Sequence, residues 1–251
     1  MTPLMSNPYE SQTLVDEYLF FHYATFTEAA GDLPVPEEAW GFPQRLVAEL
    51  LDTSSLNRTA LDVGCAVGAS SFELARSIPT VLGIDFSHAF IRAARNLKQS
   101  HALEGSVLSE GKRLQAFTAR IASGLHPERV EFETGDAMNL RGDLGRFDVV
   151  LAANLICRLP DPLRFIERLP GLVAPGGQLL LATPFSWLEQ FTPERNWIGG
   201  AEDSSASCEI LADLLRPAFS LELTKNLPFL IREHSRKFQY GISLGTRWRR
   251  H

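Results

Sequence analysis

Cysteine is scarce in this chain, and its scarcity excludes two kinds of protein. The 251 residues contain three cysteines, Cys65, Cys157 and Cys208, which are odd in number and far apart in the sequence. A small secreted domain held by disulfides would need a dense and even set, and a structural zinc site would need closely spaced pairs. The sequence therefore predicts neither a disulfide framework nor a zinc site.

The chain also lacks an excess of positive charge and long apolar runs. Its formal net charge is −6, which gives no support for a nucleic-acid partner. No apolar run reaches the roughly 18 residues of a membrane span, and no secretory signal precedes the first predicted helix. We therefore expect a cytoplasmic protein with neither a nucleic-acid nor a membrane partner. Its length suffices for one well-buried core.

What the chain does contain is a strand that ends in an acid and a turn of small residues. Residues 59–68 read TALDVGCAVG, with Asp62 at the strand end and Gly64 and Gly68 in the turn. Glycine lets the backbone turn tightly and approach a ligand. A second strand, residues 81–84, ends in Asp85. This order of strand, turn, helix and acid-ended strand is how an α/β fold binds a nucleoside.

The turn lacks the Gly-x-Gly-x-x-Gly pattern that takes a pyrophosphate, because Ala66 stands between its glycines. That absence disfavours a nicotinamide-dependent oxidoreductase. The pattern therefore favours a nucleoside ligand without a pyrophosphate, and a carboxylate at Asp85 suits its ribose diol. Cys65 supplies a small side chain that fits such a turn.

Strands and helices alternate along the chain, which predicts an α/β, doubly wound, Rossmann-like sheet. We expect seven strands, mostly parallel with the last antiparallel, in a single domain. Residues 1–55 form its N-terminal helical cap and residues 56–251 its cofactor-binding core. The predicted helices are residues 7–26, 43–51, 69–77, 87–98, 112–122, 161–172 and 207–215. The predicted strands are residues 60–63, 81–84, 130–133, 147–153, 178–182, 219–224 and one within 237–244.

Four polar residues fall at successive strand ends: Asp62, Asp85, Asp136 and Asn154. In open α/β sheets the ligand lies beyond the carboxyl ends of the strands. We therefore expect these four side chains to line one site.

The pattern Asp-x-Gly-x-x-x-Gly at residues 62–68, the acid at Asp136 and the turn Pro175-Gly176-Gly177 resemble those of class I S-adenosylmethionine-dependent methyltransferases. The resemblance implies S-adenosylmethionine as methyl donor, S-adenosylhomocysteine as product and no metal. S-adenosylmethionine has no phosphates, but it has a ribose diol, which a carboxylate at Asp85 suits. Acids and carbonyls around Asp62 and Gly64 suit the ammonium group at its aminoacyl-sulfonium end. The resemblance also implies a set of donor-binding residues: Asp62, Gly64, Cys65, Ala66, Gly68, Asp85, Phe86, Asp136, Ala137 and Asn154.

A finer resemblance rests on residues 7–10, 18–23, 152–162 and 183–193. These segments look like the methyltransferase module at the C-terminal end of bifunctional ovothiol-synthesising enzymes. Members methylate the π nitrogen of the imidazole in mercaptohistidine, giving ovothiol A. The six histidines of this chain show no metal-ligand spacing, so the iron-dependent sulfoxide synthase half is absent. The resemblance implies a free-standing methyltransferase that receives 4-mercaptohistidine from a separate sulfoxide synthase.

The finer resemblance also suggests how the acceptor binds. An aromatic cage could clamp the imidazole ring, Asn154 could bridge donor and acceptor as a catalytic residue, and Arg158 could hold a carboxylate. His22 could take or relay a proton. The residues predicted to bind the acceptor are Tyr9, Tyr18, His22, Tyr23, Arg158, Phe185, Trp187 and Trp197, with Tyr9, Tyr18, Tyr23, Phe185 and Trp187 as the cage.

Simpler interpretations of the same residues stay open. The aromatic run from Tyr18 to Tyr23 has helical spacing and also suits core packing, and His22 could be a core histidine. Arg158 could pair with Asp161 instead of a substrate. The acceptor could be another small thiol, imidazole or phenol, or the protein could bind S-adenosylmethionine without catalysis.

Overall fold

The computed structural model of the protein describes residues 8–251, and its main feature is a seven-stranded sheet. The predicted cap and the predicted first helix begin outside the described residues, at positions 1 and 7. The strands are β1 (Thr59–Val63), β2 (Thr80–Asp85), β3 (Ala102–Glu110), β4 (Arg113–Arg120), β5 (Val130–Thr134), β6 (Phe147–Ala153), β7 (Val173–Thr183), β8 (Phe219–His234) and β9 (Lys237–Arg250). The order of strands in the seven-stranded sheet is β5-β2-β1-β6-β7-β9-β8.

Seven α-helices surround the sheet within the described part of the chain. Their bounds agree with the predicted alternation of helix and strand over most of the sequence. They are α1 (Gln12–Tyr23), α2 (Phe26–Ala30), α3 (Phe42–Leu50), α4 (Ala69–Leu74), α5 (His88–Ser100), α6 (Pro162–Leu172) and α7 (Ser207–Leu215).

The pairing of the strands confirms the predicted fold class. β1 pairs in parallel with β2 and β6, β2 with β5, and β6 with β7. β9 runs antiparallel to both of its neighbours, β7 and β8. The sheet is therefore mostly parallel with an antiparallel last strand, as the sequence predicts. The carboxyl ends of β1, β2, β5, β6 and β7 share one edge.

Two apolar clusters cover the two faces of this sheet. Along β6, Val149 and Leu151 belong to the cluster that includes α1, α3, α4 and α5, whereas Val150 and Ala152 belong to the cluster that includes α6 and α7. Neighbouring side chains of a strand point to opposite faces, so a strand buried on both sides reads as a continuous apolar run. This burial explains why residues 147–153 are almost wholly apolar.

The helix predicted for residues 112–122 is wrong, because these residues form β4 of a β3–β4 hairpin. Its antiparallel register runs from Ala102 opposite Arg120 to Glu110 opposite Arg113. Phe117 and Ala119 are buried two residues apart, which is the period of a strand. The Phe117 ring meets Phe20 of α1 edge-on, with centroids 5.0 Å apart. Pairing with β3 and packing on α1 therefore override the local helical tendency.

The predicted first helix is also divided in the structure. A short 3-10 turn, Pro8–Glu10, precedes α1, and the Oγ of Ser11 caps α1 by accepting a hydrogen bond from the Leu14 backbone N–H. Thr25 begins α2 with a capping box that includes Glu28. Side-chain caps of this kind satisfy the free N–H groups of a helix start and so mark a new helix.

The last two strands are longer than predicted. The predicted strand over residues 219–224 continues to His234, although Pro228 lies within it. Proline offers no N–H to a ladder, but β8 is an edge strand, where that loss is tolerated. Only residues 244–249 of β9 pair with β7, so the β8–β9 hairpin extends past the end of β7.

Candidate active site

The turn after β1 adopts a left-handed backbone at three positions. The φ angles are +78° at Gly64, +48° at Ala66 and +89° at Gly68. A Cβ added at Gly64 would lie 3.0 Å from Leu155, and one at Gly68 would lie 2.6 Å from Phe132. Both the backbone conformation and the available space therefore require glycine at these two positions.

Asp85 joins this turn to the end of β2. Its Oδ2 accepts a hydrogen bond from the Ala66 N–H at 2.9 Å, and its Oδ1 accepts one from the Ser87 N–H at 2.8 Å. Burial is the main cause that raises the pKa of Asp85. Each carboxylate oxygen can accept a second hydrogen bond. The side chain can therefore hold the turn and still accept from a ligand hydroxyl.

Asp62 lies beneath the turn rather than in the open. Its side chain is 1% exposed, and its Oδ2 accepts a hydrogen bond from the Ser71 hydroxyl at 2.6 Å. Burial raises the pKa of Asp62 to about 7. The side chain therefore ties α4 to β1 in the interior, instead of projecting into solvent as the strand-end pattern alone suggests.

Cys65 is buried within the same turn. Burial raises the pKa of its thiol well above the usual value, so the group stays protonated at neutral pH. A protonated, buried thiol is a poor nucleophile. The side chain therefore serves as a small packing group, in agreement with the sequence interpretation.

A cavity of about 410 Å³ lies beside Phe86, the residue after Asp85, at the ends of β2 and β5. The Phe86 side chain is 61% exposed beside it. Asp136 caps the following 3-10 turn by accepting a hydrogen bond from the Met138 N–H at 2.9 Å, and Ala137 is buried. The cavity is lined by Glu10, Phe86, His88, Thr134, Gly135 and Asp136.

These residues fit the adenosine part of S-adenosylmethionine. An exposed aromatic ring offers a surface for a purine, Asp85 offers an acceptor for a diol, and the glycine turn leaves room for close approach to the backbone. The residues that would hold the donor are Gly64, Ala66, Gly68, Asp85, Phe86, Asp136 and Ala137. When bound, S-adenosylmethionine supplies a methyl group on a positively charged sulfur.

The segment before α1 crosses the start of α5. The carboxylate of Glu10 accepts hydrogen bonds from the backbone N–H groups of His88 at 2.8 Å and Ala89 at 3.2 Å. The Ser87 hydroxyl donates to the Tyr9 carbonyl at 2.7 Å. An acid at a helix N-terminus is electrostatically favourable. These contacts hold Tyr9 beside the donor cavity.

Aromatic rings from three parts of the chain meet around Tyr9. Its ring lies 6.1 Å from Tyr18, 5.6 Å from Phe90 and 6.4 Å from Phe191, measured between centroids. The Tyr9 and Tyr18 side chains also share a hydrogen bond, and burial raises the pKa of both. Sequence reasoning did not assign Phe90 or Phe191 to the site. The resemblance of residues 183–193 to a known family was the only feature of the sequence that pointed to Phe191.

Arg158 lies next to this aromatic group. Its Nη1 donates to the carbonyls of Cys157 and Ser186, both at 3.0 Å, and its guanidinium lies 5.0 Å from the centroid of Phe191. The carboxylate of Asp161 instead caps α6. Within residues 8–251 no carboxylate forms an ion pair with Arg158. The alternative pairing with Asp161 is therefore not realised.

Asn154 follows β6 with a left-handed backbone, φ +52°. Its N–H donates to the Ala182 carbonyl at 2.7 Å, and its Oδ1 accepts a hydrogen bond from the Ser243 hydroxyl at 2.7 Å. Sequence reasoning missed Ser243, because no local pattern links two residues so far apart in the chain.

His22 and Tyr23 sit at the end of α1. The Nδ1 of His22 is buried and has no hydrogen-bond partner among the described residues, and burial lowers its pKa to about 3. His22 is therefore neutral at physiological pH and a weak base. The Tyr23 hydroxyl donates to the Val67 carbonyl at 2.8 Å, which ties α1 to the donor turn.

The predicted five-residue cage is not one cluster. Tyr9, Tyr18 and Tyr23 pack against the α1–α5 face, whereas Phe185 and Trp187 pack against the α6–α7 face. The sequence could not reveal that these residues pack on different faces of the sheet, because the face is decided by the path of the segment after β7.

The indoles of Trp187 and Trp197 are held by the protein itself. Their rings stack at 6.4 Å with an interplanar angle of 16°. The Trp187 N–H donates to the Ser207 hydroxyl at 3.0 Å, and the Trp197 N–H donates to the Thr192 carbonyl at 2.8 Å. Phe185, at the start of this segment, has a left-handed backbone with φ +51°.

Residues 8–251 contain neither a cluster of metal-ligating side chains nor a membrane-spanning helix. No three or more His, Cys, Asp or Glu side chains come together in this part of the chain as metal ligands would. None of its helices combines the length and the apolar character needed to cross a bilayer.

Comparison with known proteins identifies the family. The sequence matches the methyltransferase domain family over residues 37–225. A ubiquinone biosynthesis O-methyltransferase from Coxiella burnetii (strain Dugway 5J108-111) is 28% identical over 123 residues, covering 49% of this chain and 42% of that protein. A norajmaline N-methyltransferase from Rauvolfia serpentina is 27% identical over 131 residues, covering 52% of this chain and 37% of that protein. This chain thus spans less than half the length of these curated relatives.

A solved structure shares the fold. The N-methyltransferase NodS from Bradyrhizobium japonicum WM9, in complex with S-adenosyl-L-homocysteine, superimposes with a TM-score of 0.56. The match covers 94% of this chain and 98% of NodS at 17% sequence identity. The chain therefore belongs to the methyltransferase domain family, which confirms the enzyme class and the methyl donor, S-adenosylmethionine, that the sequence predicts.

Proposed function

We propose that the protein transfers a methyl group from S-adenosylmethionine to the π nitrogen of the imidazole of 4-mercaptohistidine, giving ovothiol A. One observation carries the small-molecule part of this proposal. The donor cavity beside Glu10 and Phe86 lies next to an aromatic group that contains Tyr9. Tyr9 neighbours the Arg158 guanidinium, which no carboxylate of residues 8–251 pairs. This arrangement supports donor and acceptor sites that adjoin at one edge of the sheet.

The acceptor side suits a small aromatic compound with a carboxylate. Tyr9, Tyr18 and Phe191 offer ring surfaces, and Arg158 keeps hydrogen-bond donors beyond the Nη1 contacts to backbone carbonyls. A guanidinium matches a carboxylate with two parallel hydrogen bonds. An amino acid such as mercaptohistidine has both features. The mercaptohistidine assignment itself rests on the resemblance of residues 7–10, 18–23, 152–162 and 183–193.

The protein's contribution to the chemistry is chiefly positioning. Attack by a neutral nitrogen on a sulfonium methyl group disperses charge, so the reaction needs no strong base. Holding the two reactants in line can contribute about 7–11 kcal/mol. The acceptor's thiolate is also a good nucleophile, so the site must hold its sulfur away from the methyl group. Asn154 and Arg158 are the residues we assign to this orientation.

His22 has a smaller role in this proposal than the sequence suggests. A side chain with a pKa of about 3 is mostly unprotonated at neutral pH and takes up a proton poorly. We propose that His22 lines the acceptor site beside Tyr18, from which its ring centroid is 5.7 Å away. A neutral acceptor nitrogen does not require it as a base.

The organisation of the chain is part of the same proposal. Residues 1–55 act as the cap that contributes Tyr9, Tyr18, His22 and Tyr23, and residues 56–251 act as the donor-binding core of a single domain. Phe185, Trp187 and Trp197 shape the acceptor side from the opposite face of the sheet. The enzyme works in the cytoplasm and takes its substrate from a separate sulfoxide synthase.

The test is a methylation assay with purified protein, S-adenosylmethionine and 4-mercaptohistidine. We expect S-adenosylhomocysteine and a product heavier by one CH₂ unit, with the new methyl group on the π nitrogen by NMR. Methylation on sulfur would contradict the regiochemistry. No turnover of 4-mercaptohistidine, with turnover of another acceptor, would refute the acceptor and retain the enzyme class.

A second candidate function is O-methylation of a phenol. The relative named for ubiquinone biosynthesis O-methyl transfer favours it. A panel of small phenols, thiols and imidazoles, scored by release of S-adenosylhomocysteine, separates these acceptors from mercaptohistidine. Binding of S-adenosylhomocysteine without turnover of any panel member would favour a non-catalytic protein.

A further inference from the structure

We propose that Ser243 is a positioning residue that orients the carboxamide of Asn154, so that Asn154 presents hydrogen-bond donors to the acceptor. The acceptor then presents an atom with an unshared electron pair at that point, such as a carboxylate oxygen or a thiolate sulfur. This inference rests on the proposed function, because it assumes that the acceptor binds beside Asn154.

The backbone of Asn154 is held on both sides. β6 lies between β1 and β7, so its end is central in the sheet edge. The Asn154 N–H donates to the Ala182 carbonyl of β7 at 2.7 Å, and φ is +52°. Asparagine is one of the few residues other than glycine that adopt this conformation readily. With the backbone held, rotation of the side chain decides which group faces the site.

Ser243 reaches Asn154 from the last strand. It precedes Leu244, which is the partner of Thr183 at the end of β7, so Ser243 lies just beyond that end. Its side chain is 0% exposed, and a buried hydroxyl needs a hydrogen-bond partner. That partner is the Oδ1 of Asn154, at 2.7 Å.

In the structure this hydrogen bond engages the oxygen of the carboxamide. A carboxamide has one acceptor atom and one donor atom, and Ser243 takes the acceptor. The Nδ2 of Asn154 keeps both N–H groups, and it makes no hydrogen bond within the described residues. In the opposite orientation the oxygen would face the ligand and would favour an N–H or O–H group instead. With its oxygen bound to Ser243, Asn154 therefore favours ligands that accept hydrogen bonds.

For 4-mercaptohistidine, the selected atom is not the attacking nitrogen. The π nitrogen uses its electron pair to take the methyl group, so the N–H groups of Asn154 contact the carboxylate or the thiolate. A hydrogen bond to the thiolate would also lower its nucleophilicity, which would favour methylation on nitrogen.

Kinetics with S-adenosylmethionine and 4-mercaptohistidine test the polarity. Asn154→Asp keeps the shape and the Ser243 hydrogen bond but replaces the N–H donors with a carboxylate oxygen. We expect it to lower kcat/KM at least as much as Asn154→Ala. Retention of activity by Asn154→Asp would overturn the inference, because it would show that an oxygen suffices at that position.

Variants of Ser243 test the positioning. We expect Ser243→Ala to lower kcat/KM about tenfold, as the loss of one hydrogen bond predicts, and Ser243→Thr to recover most of it. Ser70→Ala removes another buried hydroxyl, one that makes no contact with Asn154, and should change kcat/KM less than about twofold. Equal rates for Ser243→Ala and the wild-type protein would overturn the positioning role while leaving the proposed function intact.

A spectroscopic measurement decides the question without any acceptor. The side-chain N–H₂ signals of Asn154 are those missing from the ¹H–¹⁵N spectrum of Asn154→Asp. We expect Ser243→Ala to shift them and Ser70→Ala to leave them in place. Unmoved signals in Ser243→Ala would show that the hydrogen bond is absent and would overturn the inference. If Ser243→Ala does not fold, Ser243→Cys replaces it, because it has nearly the same size and a much weaker donor.

Discussion

The two halves of the candidate site are built in different ways. The donor region, residues 59–68 and 80–87, comes from two adjacent parallel strands, and backbone groups form most of its contacts. The acceptor region brings together side chains from the N-terminal segment, the ends of β6 and β7, and β9. Tyr9 and Arg158 both meet Phe191, and Ser243 meets Asn154, although these partners are far apart in sequence.

This difference shows which constraints act on each half. In the donor region, the backbone conformation requires glycine, and backbone N–H groups bind the carboxylate of Asp85. The glycine and acid positions are therefore visible in the sequence. In the acceptor region, each side chain depends on packing between distant elements, and its sequence signal is weak. Substitutions in the donor region should therefore affect folding and donor binding, and those in the acceptor region should affect acceptor kinetics.

The largest expected effect tests whether the donor region carries a buried acid. The pKa of Asp62 is about 7, above its value near 3.9 in an unfolded chain, so the native state keeps a proton that the unfolded state loses. The resulting stabilisation is complete below pH about 4 and is lost as the pH rises through 7. Between these limits we expect the wild-type free energy of unfolding to fall by at most about 4 kcal/mol relative to Asp62→Asn.

Urea unfolding of both proteins from pH 4 to 8 measures this difference. The control is Asp52→Asn, because hydrogen bonds from Ser54 lower the pKa of Asp52. Its stabilisation is lost only as the pH falls below about 4, so its difference from wild type should stay nearly constant from pH 4 to 8. A pH-independent difference between wild type and Asp62→Asn would show that Asp62 is ionised at every pH tested.

Gly68→Ala tests the backbone requirement of the donor region. The alanine would have to adopt φ +89°, and its Cβ would lie 2.6 Å from the Phe132 ring. Strain and overpacking together should cost about 3 kcal/mol of unfolding free energy and should weaken S-adenosylhomocysteine binding.

Gly111→Ala is the matched control for Gly68→Ala. Gly111 has φ +55°, and nothing lies within 4 Å of an added Cβ. The strain alone should cost about 1 kcal/mol, with no change in ligand binding. Equal destabilisation by the two variants would show that Phe132 yields to the added methyl group.

Arg158→Leu tests the separation of the two regions. Loss of a charged hydrogen-bond donor should cost about 2 kcal/mol of acceptor binding, which is about a thirtyfold increase in KM. Arg158→Lys keeps the charge without the planar fork, so its KM should be intermediate. Calorimetry should give the same Kd for S-adenosylhomocysteine in all three proteins. A weaker donor affinity in Arg158→Leu would place Arg158 in the donor region instead.

The smallest expected effect concerns the contact between the two regions. Tyr23→Phe removes the hydrogen bond to the Val67 carbonyl, and we expect a loss of about 1 kcal/mol, or about fivefold in affinity for S-adenosylhomocysteine. Tyr240→Phe alters an exposed tyrosine and should change nothing. Unchanged affinity in Tyr23→Phe would mean that the cap does not support the donor turn.

Prediction from sequence succeeded where local patterns decide structure. The strands that contain Asp62 and Asp85 and the strand that precedes Asn154 lie as predicted. Buried parallel strands are short apolar runs with polar residues near their ends, which is a local pattern. It failed for residues 112–122, where pairing with β3 made a strand of a segment with helical tendency. Register with a distant partner is not encoded in a local pattern.

The acceptor region shows the same limit for side chains. On α1, Tyr18 and His22 lie one helical turn apart, with ring centroids 5.7 Å apart. The sequence did not reveal that Trp187 packs on the opposite face from Tyr9, or that Phe90 and Phe191 complete the aromatic group. Which face a loop side chain occupies depends on the path of the chain across the sheet edge.

The sequence by itself determined the fold class, the family and the donor turn of this protein. Alternating elements, the glycines of residues 59–68 and the acids at strand ends act through short-range backbone sterics and hydrogen bonding, which the local sequence specifies. Only the tertiary structure decided that Asp62 lies beneath the turn, that Arg158 has no acidic partner in the described chain and that Ser243 contacts Asn154. Those properties depend on burial and on contacts between distant segments, which exist only once the chain has folded.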